Sequence, residues 1–144
     1  MHRKQVNWPD KSLESLENDV WKSGGEEPTT LIRTCFALRE KPLSQFEVED
    51  LRIMIGQNIG LAYLIPMAIE VLHQNILAEG DFYEGDLLNS VLTADAKYWL
   101  ENKSEWQSVV DLFESNSERL KTEDTSKSIK KQWFGHFSNF AVIG

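Results

Sequence analysis

Four carboxylates crowd one short stretch, AEGDFYEGD: Glu79, Asp81, Glu84 and Asp86, with no base among them. Acids so placed can cap a helix, face water, attract a basic partner, ligate a cation or work as an acid and base pair. A calcium loop would need the D-x-D-x-D-G…E register of an EF-hand, which this stretch lacks. Glycosidase chemistry would need two carboxyls placed across a substrate cleft. Asp86 closes the loop and is the candidate cap of the next helix. Gly80 and Gly85 serve loop geometry. Helix capping, solvation and partner binding are the stronger readings; metal binding and catalysis are the weaker.

Other reactive residues are sparse. The histidines are His2, His73 and His136, and no pair of them has metal-ligand spacing; HExxH and CxxC are both absent. The single cysteine, Cys35, rules out an internal disulfide framework and fits a reducing compartment. It falls in an apolar helical pattern, where a buried structural thiol is the expected state. A Cys35–His73 nucleophile pair has no local support, since a nucleophile needs a base and an orienting group around it. Gly56 and Gly60 in GQNIG lack the GxGxxG spacing and any following Lys-Ser/Thr, so they mark a tight turn between helices rather than a phosphate loop. No cofactor and no metal is expected.

The elements that must position the loop are helical. Residues 1–11 are polar and irregular. Leu13, Leu16, Val20 and Trp21 mark one face of a first helix, and a Gly/Pro loop, SGGEEP, follows. Thr29 or Thr30 caps a second helix with Leu31, Ile32, Cys35, Phe36 and Leu38 inward. Ser44 and Glu47 have capping-box spacing at the entry to a third, where Val48, Leu51, Arg52 and Ile55 fall at i, i+3, i+4 and i+7. Only Arg52 breaks that apolar face. In the fourth helix Leu61, Leu64, Ile65, Ala68, Ile69 and Leu72 make the stripe. Tyr63, Met67 and Val71 widen it, so this helix should be central and deeply buried, with Pro66 kinking it. Two shorter helices carry Leu87 to Leu92 and Tyr98 to Leu100. A long amphipathic helix follows around Trp106 to Leu120.

Residues 1–122 thus form a helical domain. Residues 123–144 are a polar linker and an aromatic tail with Trp133, Phe134, Phe137 and Phe140, docked on the same domain as a helix or as a strand-like arm. The expectation is an all-α, single compact domain of about six or seven helices around a central apolar one. At 144 residues the chain suits one domain, able to bury roughly 70% of its unfolded surface.

The formal charge of −8 makes phosphate backbones poor partners and basic proteins good ones, although acidity also serves solubility alone. The tail aromatics with Lys130 and Lys131 are better core residues than a nucleic-acid platform. The longest apolar run, Ile59 to Leu72, is interrupted by Pro66 and Glu70 and is too short for a bilayer. No signal-peptide pattern opens the chain. A cytoplasmic protein without nucleic-acid, membrane or small-molecule partners is the expectation.

The segment from about Thr34 to Trp106 resembles the immunity proteins of contact-dependent growth inhibition (CDI). EDLRIMIGQNIGL, LIPMAIEVL and AEGDFYEGDLL carry the likeness, and LENDVW near the start fits it. The resemblance implies a small, cytoplasmic, non-enzymatic protein. It would bind one-to-one to the C-terminal toxin domain of a neighbour's exoprotein and block it. Many such toxins are nucleases, which are commonly basic. On that view Tyr83 is the aromatic anchor and Glu79, Asp81 and Glu84 are ion-pair partners, with Glu47 and Glu49 a second acidic patch. The first helix and the tail are the alternative contact surfaces. Alternative functions are a small helical enzyme using Cys35 or the loop carboxylates, and a general helical adaptor.

Overall fold

The computed structural model of the chain describes residues 8–21 and 29–144. Ser12 starts α1 (Leu13–Glu17) by accepting the Ser15 N–H. The helix stops at Asn18, which takes the left-handed conformation (φ 51°) that asparagine tolerates. It therefore ends short of Val20, which faces solvent instead of the core. Leu13 is wholly buried under the turn at Gly60, whose φ is +65°. A Cβ there would lie 2.6 Å from Leu13 Cδ1, so this turn requires glycine for both conformation and space.

Thr29 caps α2 (Thr30–Glu40). Its buried residues are Cys35, Leu38 and Arg39, whereas Leu31 and Ile32 are exposed, so the inward face begins one turn later than the apolar pattern suggests. A 3-10 turn at Leu43–Gln45 leads into α3 (Val48–Gly56). The capping box there pairs Glu47 with Asp50 rather than Ser44 with Glu47. The Asp50 carboxylate accepts the Glu47 N–H at 2.9 Å and the Lys41 ammonium at 2.7 Å. Ser44 is spent in the 3-10 turn before the helix.

Asn58 (φ 58°) and Gly60 form the tight turn into α4 (Leu61–Gln74), which contains Pro66. Then come α5 (Asp86–Leu92), α6 (Ala96–Glu101), α7 (Lys103–Ser115), α8 (Ser117–Thr122) and α9 (Lys127–Ala141). The described residues thus form nine α-helices and no strand, two more helices than the upper expectation. The extra ones have two sources: the helix expected from Trp106 to Leu120 breaks at Asn116, which separates α7 from the short α8, and the tail is a helix of 15 residues, α9.

The architecture is all-α, in one domain. Leu64, Ile65, Ala68 and Leu72 of α4 enter a core shared with α5, where Asp86, Leu87, Leu88, Asn89, Val91 and Leu92 are all buried. Each fully buried Leu or Ile contributes roughly 1.5–3 kcal/mol. On α9 Trp133 and Phe140 are wholly buried. Phe137 stacks on Phe113 at 4.0 Å between ring centroids, and Phe140 meets Trp99 edge-on at 5.0 Å. No described helix is long and apolar enough to cross a membrane.

Candidate functional site

The chain leaves α4 through Asn75, whose side chain accepts the Leu77 N–H. Ile76, Leu77 and Ala78 then run into the core. The segment that follows is pinned at both ends: the Gly85 N–H bonds the Leu77 carbonyl at 3.2 Å, and Gly85 sits at φ 80° to turn the chain into α5.

Asp86 organises what lies between. It does not cap α5; Gly85 holds the N-cap position and Asp86 is the first helical residue. Its carboxylate is turned back into the loop and is 3% exposed. Oδ1 accepts the Gly80 N–H at 2.6 Å. Oδ2 accepts those of Phe82 at 3.1 Å and Tyr83 at 3.4 Å, and Arg52 Nε stands 3.8 Å from it. A buried carboxylate is tolerated when it is hydrogen-bonded on this scale, and the partners here are the loop's own amides.

A second brace comes from α3. Glu49 and Arg52 form a bidentate pair, with both N–H···O distances 2.6 Å. Glu49 Oε1 also accepts the Asp81 N–H at 2.9 Å. The Arg52 guanidinium beside Glu49 holds its carboxyl below the usual range; burial opposes this and the Asp81 amide adds to it. The other face of Arg52 lies under the Phe82 ring, 4.4 Å from its centroid. Phe82 itself is 69% exposed.

The residues singled out from the sequence therefore divide. Glu79 and Asp81 present exposed side chains, and Glu47 is exposed at the N-cap of α3. Glu49 is engaged by Arg52 and the loop backbone. The Tyr83 hydroxyl accepts from Asn89 Nδ2 at 2.9 Å and donates to Gln132 Oε1 at 3.0 Å, so it faces the body of the protein. Glu84 sits low in pKa because the Thr125 hydroxyl bonds it. The residues missed in the sequence are Phe82, the aromatic that does face solvent, and Arg52, which backs it. Arg52 had a signal: it was the one base on an otherwise apolar helix face, three residues after a glutamate. Phe82 had none to separate it from Tyr83.

This arrangement is poor in reactive groups. Glu49 is held in its ionised form and Asp86 is saturated with amides. Cys35 is 4% exposed, and burial pushes its thiol above the ordinary value, which opposes thiolate formation. Among the described residues, no group of three or more His, Cys, Asp or Glu side chains is placed to hold a metal ion. What the loop offers is shape: an exposed aromatic ring and two exposed carboxylates on a backbone braced from beneath.

A family model for CDI immunity proteins matches residues 15–109, well over half of the chain. The chain belongs to the CDI immunity protein family. The match runs from within α1 to the middle of α7, includes the whole loop, and reaches beyond Thr34 and Trp106 at its two ends. No curated protein matches the chain significantly.

Proposed function

We propose that this immunity protein works in the cytoplasm by binding the cognate C-terminal toxin domain of a CDI exoprotein in a one-to-one complex, and that the outer face of the 79–86 loop is part of the contact. The observation that carries the proposal is Phe82: 69% exposed, on a loop anchored by a buried carboxylate and backed by a guanidinium. An aromatic ring held rigidly at the surface binds with little loss of conformational freedom, which favours it as an anchor. Glu79 and Asp81 beside it, with Glu47 at the N-cap of α3, give the surface a negative character in a chain of net charge −8. That charge suits a basic toxin such as a nuclease, which it would attract and orient. Tyr83, Glu84 and Glu49 then act from beneath, holding the surface in shape.

Coexpression with the cognate CDI toxin domain tests the proposal. Growth should be rescued and the two chains should copurify at equal stoichiometry. Rescue without a physical complex would argue for an indirect mechanism and against this one.

A further inference from the structure

We propose that α9, which lies outside the family match, is the positioning element of the 79–86 loop, and that Gln132 and Tyr83 thereby set how long a bound toxin is retained. The second half of this claim rests on the loop being the toxin-binding surface; the first half does not.

Two junctions join α9 to the loop. The first is steric. Trp133 is wholly buried against Gly85, with its Cε2 and Cζ2 atoms 2.7 and 2.8 Å from where a Cβ on Gly85 would stand. Only glycine admits the indole this closely, and only glycine is at ease at φ 80°. The second is a polar circuit. Asn89 Nδ2 donates to the Tyr83 oxygen at 2.9 Å, which leaves Asn89 Oδ1 facing His136 Nδ1 at 2.9 Å. His136 Nδ1–H is then the donor, a tautomer assigned from the network. Tyr83, having accepted, donates to Gln132 at 3.0 Å. The circuit leaves α9 at His136, crosses α5 and the loop, and returns to α9 at Gln132.

Docking of α9 does not rest on the polar circuit alone. Phe134, Phe137 and Phe140 already pack on Phe113 and Trp99, and the Trp106 indole N–H bonds the Phe140 carbonyl at 3.0 Å. The polar circuit instead ends on Tyr83, whose own amide is bonded to Asp86 alongside that of Phe82. Fixing the Tyr83 ring therefore fixes the direction of its neighbour Phe82. A loop ordered before the partner arrives loses less on binding and releases the partner more slowly.

The test uses the full chain. Gln132 is exposed, so Gln132→Leu removes the acceptor while the core stays intact, and Gln132→Glu restores an acceptor oxygen. Tyr83→Phe removes the hydroxyl alone. Amide hydrogen exchange of the free protein reads loop order, and dissociation from the cognate toxin domain reads retention. In Gln132→Leu and Tyr83→Phe, exchange at Gly80 to Tyr83 should rise about tenfold, and toxin should leave about five times faster; thermal stability should stay nearly unchanged in Gln132→Leu and fall modestly in Tyr83→Phe, which also strands the buried Asn89 Nδ2. Gln132→Glu should return both readings toward wild type. Loop exchange equal to wild type in both variants overturns the positioning role. Faster exchange with an unaltered dissociation rate overturns the claim that positioning serves retention. A wrong interface is distinguished separately: Asp81→Lys would then leave toxin affinity unaffected, whatever the exchange data show.

Discussion

Among the described residues Asp86 and Arg39 are the buried charges, and they are held by different kinds of partner. Asp86 is bound chiefly by main-chain amides of the loop just before it, at Gly80, Phe82 and Tyr83. Arg39 is bound by groups some twenty residues away: the Glu17 carboxylate and the Asp19 carbonyl, with the Trp21 ring 4.4 Å from its guanidinium carbon. A charge satisfied by neighbouring amides dictates the local path of the chain. A charge satisfied by a distant side chain and carbonyl latches one segment to another. The first device suits a surface whose shape matters, and the second suits assembly of the fold.

The comparison can be broken by removing each charge. Asp86→Ala should have the largest effect, about 3–5 kcal/mol in chemical denaturation, because the loop amides of Gly80, Phe82 and Tyr83 lose their shared acceptor inside the protein. Hydrogen exchange should show the loop opening with it. Arg39→Met should be milder, about 1–2 kcal/mol, because the side chain of Glu17 is 30% exposed and can hydrate once released. Equal losses in the two variants would erase the distinction drawn above.

The smallest effect concerns pH. The folded pKa of Glu49 is depressed below its ordinary value of 4.5, so its contribution is present above that pH and is lost as pH falls through the lower folded value. Glu49→Gln should therefore flatten the stability profile below about pH 4.5, by on the order of 0.5 kcal/mol, and leave the neutral range nearly flat in pH. A profile identical to wild type in acid would mean that the Glu49–Arg52 brace contributes no pH-dependent stability.

The two regions were not equally legible from sequence. Helical periods brought out α3 and α4, and Gly60 marked the turn between them. The acidic loop stood out because four carboxylates without a base are rare in so short a span. Which of them faced outward was hidden, because the partners that decide it lie elsewhere: Gln132 is 49 residues from Tyr83, and Glu49 is 32 from Asp81. Asp86 looked like a cap because acids at helix starts usually are; here the loop amides outcompeted the helix for it. Arg39 carried even less signal. A basic residue at the end of an amphipathic helix ordinarily faces solvent, and only the fold brings Glu17 and Trp21 to it. Cys35 kept its expected place because burial of a thiol needs no specific partner.

The most direct test of the account is calorimetric titration of the purified toxin domain into wild-type protein and into a variant carrying Phe82→Ala and Asp81→Lys. Both substitutions lie on exposed side chains and should leave the melting temperature within about 3 °C of wild type. The account predicts one-to-one binding by the wild type and at least about a hundredfold weaker binding by the variant, from loss of the aromatic anchor and reversal of one charge. Equal affinity in the two proteins would contradict it and move the toxin contact to another face of the domain.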